Sequence, residues 1–150
     1  FTEVNIVDLV RKVQGYDINV IGNYIFGLPE DNHSTMKDTL DLSIELNCEF
    51  ANYYSAMAYP GSKLYLDAIK DGWDLPDSYV GYSQHSYETM PLPTKHIGAS
   101  EVLKFRDEAF LKYYKNPKYL DMIEKKFSLS TRTGIEDMTK IKLKRKILGD

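Results

Sequence analysis

Two short runs of β-branched and aromatic residues constrain this chain more than any other feature. Asn19-Val20-Ile21-Gly22-Asn23-Tyr24-Ile25-Phe26 is nearly continuous and too short for a globular helix. It reads as a strand buried on both faces, the kind found in parallel sheets. A second run, Glu49-Phe50-Ala51-Asn52-Tyr53-Tyr54-Ser55-Ala56-Met57-Ala58, is closed by Tyr59-Pro60-Gly61. Between the runs Met36, Leu40 and Ile44 repeat every four residues, which predicts a helix to about Asn47 capped by Ser34 or Thr35, with Thr35 and Asp38 as a capping box. Ile6, Leu9, Val10 and Val13 line one helix face over residues 3–14, and Gly15 stops it. A further short helix is expected from Ser62 to about Lys70. Helices alternating with strands imply right-handed crossovers and a parallel pair.

Two parallel strands alone leave apolar faces and edges without neighbours. The expected fold class is therefore α/β: a fragment of a partial (βα) barrel with two parallel strands and flanking helices, followed by a helical C-terminal extension. Residues 1–71 form the last βα units. Residues 72–98 form a long loop with three Pro, three Gly and Trp73, Tyr79, Tyr82 and Tyr87, and loops of that length are often functional. Residues 99–150 form the extension, with helices from Ser100 to Tyr114, Pro117 to Phe127 and Thr133 to Leu148. Asn116-Pro117 is a helix start signal, and Thr133 with Glu136 fits a capping box. Such a fragment is expected to self-associate when isolated.

Charge is segregated along the chain. Residues 1–111 hold 17 acidic and 8 basic side chains, whereas residues 112–150 hold 5 and 11. Lys140, Lys142, Lys144, Arg145 and Lys146 interleave with Ile141, Leu143 and Ile147, which reads as an amphipathic terminal helix with a solvated basic face rather than a nucleic-acid site. The non-enzymatic alternative makes residues 99–150 a helical interaction module whose basic terminal helix docks on an acidic partner. Cys48 is the single cysteine, so no internal disulfide forms and a secreted mini-protein is excluded. Phe1-Thr2-Glu3-Val4 shows no charged-then-apolar leader, and no unbroken apolar stretch suits a membrane span. A cytoplasmic location is expected.

Chemistry concentrates at Gly22-Asn23-Tyr24-Ile25-Phe26-Gly27-Leu28-Pro29-Glu30-Asp31. A buried strand that turns directly into a helix places this turn at the carboxyl end of a parallel sheet, where α/β ligand sites form. Gly27 has no side chain to keep a ligand away. Glu30 and Asp31 fit a helix-dipole role, or Glu30 serves as acid or base in an ordinary (βα) barrel enzyme. Closely spaced glycines and a Lys-Ser/Thr pair are missing, so this is not a phosphate loop. His33, His85 and His96 lack metal-ligand spacing, and Cys48 reads as a small packing residue. His85, flanked by Tyr82 and Tyr87 in the long loop, is a candidate for a small-molecule substrate pocket, with both tyrosines.

The first strand resembles the fifth-strand motif G-x-I-x-G-x-x-E of radical S-adenosylmethionine enzymes, with Ile25, Gly27 and Glu30 in register and Asn23 where the first Gly stands. Ala56-Met57-Ala58-Tyr59-Pro60-Gly61-Ser62-Lys63-Leu64 resembles the segment P-x-P-G-[ST]-x-L after their sixth strand. Tyr87-Glu88-Thr89-Met90-Pro91-Leu92-Pro93-Thr94, Phe105 to Phe110 and Asn116 to Leu120 resemble the C-terminal region of the cobalamin-binding branch, which includes anaerobic oxidative cyclases of magnesium-protoporphyrin monomethyl ester. The resemblance implies S-adenosylmethionine near Ile25, Gly27, Glu30, Ala58 and Tyr59, a 4Fe-4S cluster and, in the parent, cobalamin. Three thiolates of a C-x-x-x-C-x-x-C loop hold that cluster, and one cysteine cannot supply them. The resemblance thus implies a C-terminal portion of a longer enzyme, inactive alone and without a catalytic residue of its own, whose first partner is the rest of its parent chain.

Overall fold

The computed structural model describes residues 4–150. In chain order it contains α1 (Ile6–Gly15), β1 (Ile21–Phe26), α2 (His33–Leu46), β2 (Phe50–Ser55), α3 (Lys63–Lys70), α4 (Ala99–Tyr114), α5 (Pro117–Lys126) and α6 (Leu129–Met138), with short 3-10 turns at Tyr79–Tyr82 and Lys146–Leu148. β1 and β2 pair in parallel, from Ile21 opposite Phe50 to Phe26 opposite Ser55. The architecture is α/β, two parallel strands flanked by helices with a helical C-terminal part, as expected for a partial-barrel fragment with an extension. Each helix start has a local cause. Asn5, Ser62 and Asn116 accept backbone N–H bonds at the starts of α1, α3 and α5, and Pro117 begins α5 where no N–H is needed. At α2 the cap is Asn32, in a box with Thr35, two residues before the expected Ser34 and three before Thr35. The box pairs Asn32 with Thr35, not Thr35 with Asp38, because Asn32 already holds extended backbone and its Oδ1 reaches the Ser34 and Thr35 amides.

The core lies on one side of the sheet. Tyr24 and Phe26 of β1 and Ala51 and Tyr53 of β2 pack with Met36 and Leu40 of α2 and with Val102, Ala109 and Tyr113 of α4. Phe26 stacks on Tyr53 at 5.8 Å between ring centroids, and Phe105 meets Phe26 edge-on at 5.1 Å. Cys48 is buried in this core, and burial raises its thiol pKa, so it packs rather than reacts. β1 departs from the expected two-sided burial. Ile21, Asn23 and Ile25 are exposed, as are Phe50 and Asn52 beside them, because α2 and α4, which pack on the strands, lie on the Tyr24 and Tyr53 side.

The two sheet edges differ. Phe50 N and Ala56 N donate to Val20 O and Phe26 O, so even-numbered β2 residues face β1 and Ala51, Tyr53 and Ser55 face outward. All three outward positions are occupied by side chains. Tyr114 Oη receives the Ala51 N–H at 3.1 Å and donates to Ala51 O at 2.7 Å. Arg106 Nε donates to Tyr53 O at 2.8 Å. The Gln84 amide accepts from Ser55 N at 3.0 Å and donates to Ser55 O at 2.9 Å, as a neighbouring strand would. Tyr119 Oη and Tyr113 Oη extend the cover to Glu49 O and Cys48 O. Along β1 the corresponding backbone groups of Ile21, Asn23 and Ile25 have no such cover among the described residues.

The expected terminal helix is replaced. α6 runs from Leu129 to Met138, capped by Ser128 rather than by Thr133 with Glu136. The tail after Thr139 is irregular up to the Lys146–Leu148 turn. Arg145 is not on a solvated face: its side chain is fully buried and donates to Asp107 Oδ2 and Oδ1 at 3.0 Å, Ser86 O at 3.0 Å and Thr89 Oγ1 at 3.1 Å. That network pulls the tail out of helical geometry. Among the described residues no helix is long and apolar enough to cross a membrane.

Candidate functional site

The carboxyl ends of β1 and β2 lie side by side, and the turn that leaves β1 is built around Gly27 and Asp31. Gly27 has φ +81, a left-handed conformation that glycine adopts without strain. A Cβ there would lie 2.4 Å from Val102 Cγ1, so α4 sits directly against the turn. Asp31 Oδ2 accepts the N–H groups of Gly27 and Leu28, each at 3.0 Å, and Asp31 Oδ1 accepts from Thr35 Oγ1 at 2.8 Å. The carboxylate that shapes the turn is therefore Asp31. Glu30, its neighbour, is exposed and ion-paired with Lys95, and the Lys95 N–H donates to Pro29 O at 3.0 Å. The long loop thus ties back onto the turn.

The remaining candidates are distributed around this edge. Ile25 lies on the open face of β1 and is 49 % exposed. Ala58 is buried in a small cluster with Ala68 and Leu92, and the Leu92 N–H donates to Ala56 O at 3.2 Å. Tyr59 is half exposed, its ring 5.9 Å from that of Tyr82, with its hydroxyl donating to Tyr82 O at 3.5 Å. Ile25 and Tyr59 offer apolar surface at the strand ends, whereas Gly27 and Ala58 shape the backbone beneath. Tyr87 stands apart from Tyr82: its carbonyl receives the Lys146 N–H at 2.9 Å and its hydroxyl donates to Asp150 O at 3.3 Å, so it fastens the C-terminal tail.

His85 is exposed between Gln84, docked on the end of β2, and Ser86, whose carbonyl receives a bond from Arg145. Desolvation and the nearby charges of Arg106 and Arg145 lower its pKa, so the ring is neutral at pH 7. Asp107 joins the two guanidiniums, accepting from Arg106 Nη1 at 2.8 Å. His33 is an exposed partner of Glu101 at 3.6 Å, and His96 lies on the surface beyond Thr94. Ser55, Gln84, Arg106 and Asp107 carry no site signal in the sequence and Arg145 reads there only as part of a basic face, since their partners are backbone carbonyls and side chains more than 28 positions away in most cases.

Two recesses lie elsewhere. The larger, of 690 Å³, is lined by Asn47, Lys118, Asp121, Met122, Lys125 and Lys126. It sits at the amino end of β2, opposite the strand ends. The smaller, of 250 Å³, lies between the long loop and the tail, where Pro76, Gly81, Met90 and Ile147 meet. Among the described residues no group of three or more His, Cys, Asp or Glu is placed to hold a metal ion. Cys48, buried, is the only thiol, so these residues do not fit a 4Fe-4S cluster.

No protein-family profile matches the chain. Over 114 residues, 76% of its length, the chain is 23% identical to a Pyrococcus horikoshii protein named as an uncharacterized methyltransferase. The chain spans 24% of the length of that relative.

Proposed function

We propose that this chain is the C-terminal part of a longer radical S-adenosylmethionine enzyme of the cobalamin-binding type, contributing the adenine-side wall of the cofactor site. The observation that carries the reading is the strand end itself. Ile25 stands uncovered on the face of β1 that no helix covers, directly before the Gly27 turn and beside the end of β2. An adenine ring needs apolar contact and a few backbone hydrogen bonds, and Ile25 with Tyr59 and the uncovered β1 edge offers both. When bound, S-adenosylmethionine supplies either a methyl group or a radical precursor. This chain's residues orient the adenine side, and the cluster ligands belong to another part of the polypeptide. The name of the relative favours methyl transfer over oxidative cyclisation. An isolated chain with no cluster ligands is inactive, and a cytoplasmic location suits an enzyme whose cluster depends on reduced thiols.

The test is the longer polypeptide that includes this chain, purified without oxygen. A C-x-x-x-C-x-x-C loop is expected about 150–200 residues upstream, six βα units at about 30 residues each. Iron should co-purify, S-adenosylhomocysteine should bind by calorimetry, and Ile25→Asp should weaken that binding about tenfold or more, the effect of losing roughly 1.4 kcal/mol. Absence of the cysteine loop, or binding indifferent to Ile25→Asp, overturns the reading.

A further inference from the structure

We propose that the carboxyl end of β2 carries an anion site, formed by Arg106, Ser55 and His85, that takes the carboxylate of a small-molecule substrate. Assigning the carboxylate to the substrate rests on the function proposed above, whereas the site itself rests on charge and on unused hydrogen-bonding groups.

Arg106 and Arg145 are 5% and 0% exposed. They share a single carboxylate, Asp107, which accepts from Arg106 Nη1, Arg145 Nε and Arg145 Nη2. The other acids near the network each have a lysine of their own: Asp150 Oδ2 accepts the Arg145 backbone N–H at 3.2 Å while its Oδ1 pairs with Lys142, and Glu88 pairs with Lys146. The two guanidiniums therefore carry one positive charge in excess. A buried charge left without a counter-charge is costly. Every nitrogen of the Arg145 guanidinium has an acceptor, at Asp107, Ser86 or Thr89. Arg106 differs: Nε is held by Tyr53 O and Nη1 by Asp107, and Nη2 makes no hydrogen bond among the described residues.

A second observation falls at the same strand end. The Ser55 hydroxyl is buried and has no hydrogen-bond partner, the one such side-chain atom among the described residues. Tyr53 O and Ser55 O lie on the same edge of β2, two residues and about 7 Å apart, so Arg106 and Gln84 are neighbours along that edge. Gln84 in turn leads into His85, which is exposed and neutral at pH 7, and Ser86 closes the turn on Arg145. A guanidinium N–H pair without an acceptor and a buried, orphaned hydroxyl thus belong to one end of β2, with an imidazole near enough for the Arg106 and Arg145 charges to act on it. One excess positive charge matches a monoanion. A carboxylate accepts from both a guanidinium and a hydroxyl, whereas a phosphate dianion overcompensates.

The test uses the intact chain and its three histidines as internal probes. Acetate is titrated at constant ionic strength while the imidazole signals of His33, His85 and His96 are followed by NMR. The expected result is a saturable shift of His85 alone with an upward move of its pKa, since an added negative charge favours imidazolium. Arg106→Gln should weaken the acetate response about tenfold or more, the loss of one charge-assisted bond. Should Arg106→Gln unfold the chain, Ser55→Ala decides, because it removes only the orphaned hydroxyl: weaker acetate binding with unchanged circular dichroism supports the site. Equal shifts at all three histidines, no saturation, or a response unaltered in Ser55→Ala overturns it. Inorganic phosphate saturating at lower concentration than acetate overturns the carboxylate assignment. Failure of S-adenosylhomocysteine to bind the longer polypeptide bears on the proposed function and leaves this site standing.

Discussion

Replacing Gly27 with alanine separates two contributions that the turn combines. At φ +81 a residue bearing Cβ is strained by roughly 1–2 kcal/mol. The new methyl would also lie 2.4 Å from Val102 Cγ1, and Val102 is fully buried between the turn and the core, so it has no free space to enter. Overpacking of that kind adds about 1–3 kcal/mol, giving roughly 2–5 kcal/mol in total. With a urea slope of about 1–3 kcal/mol per molar, a loss of that size lowers the unfolding midpoint by about 1 M or more. The paired variant Val102→Ala supplies the control. It removes the colliding methyls at its own cost, and in its background Gly27→Ala should retain only the backbone strain. A double-mutant cycle in urea should therefore return a favourable coupling of about 1–3 kcal/mol between the two alanines. Gly27→Ala with no loss of stability refutes the left-handed turn, and zero coupling refutes the contact with α4.

Asp31→Asn should destabilise the chain by about 1–2 kcal/mol, since a charged acceptor of two backbone N–H bonds is weakened, while Glu30→Gln changes an exposed pair with Lys95 by about 1 kcal/mol or less; urea melts that rank the two in reverse refute the assignment of the turn to Asp31. Burial raises the Glu49 pKa, but the Val20 N–H, Lys126 and Gln14 outweigh it, so the net shift is below the usual 4.5. Its contribution is therefore complete above the unfolded value and lost as pH falls through the lower folded value, and Glu49→Gln should flatten stability measured between pH 6 and acid, about pH 3. The isolated chain should self-associate through the open β1 edge and Ile25→Lys should reduce this, whereas light scattering that shows a clean monomer at high concentration contradicts the expectation.

The strand–turn–helix order was readable because parallel strands leave an unbroken apolar run and a Gly-Pro break in the sequence. The same run concealed which face is covered. Ile21 and Ile25 look as buried as Tyr24 and Phe26 by composition, and only the placement of α2 and α4 on one side separates them. In the sequence Gly27 suggests ligand access, and its left-handed φ and the approach of Val102 add a packing reason that no local pattern carries. The tail departs from the expected helix for a visible cause. From Lys140 to Ile147 lysines alternate with Ile141, Leu143 and Ile147 at period two, broken only by Arg145, a pattern of extended chain rather than helix. Asp31 was also within reach, because an acid four residues after a turn glycine can accept that turn's N–H bonds. The cover on the β2 edge was not, since Tyr114, Arg106 and Gln84 meet carbonyls 29 to 63 residues away.

The unequal edges tie the extension to the site. A further strand cannot add beside β2 without displacing Tyr114, Arg106 and Gln84 together, so any continuation of this sheet joins β1. That places the uncovered face, with Ile25 and the Asn23–Asn52 side-chain pair at 3.1 Å, on the side a completed barrel would enclose. The groups that close the sheet are the same ones that gather at its carboxyl end. Arg106 seals Tyr53 O and leaves Nη2 free, and Gln84 seals Ser55 and presents His85. α4 and the long loop therefore cannot be a mere terminal appendage: removing them would expose the β2 edge and dismantle the charged cluster in one step.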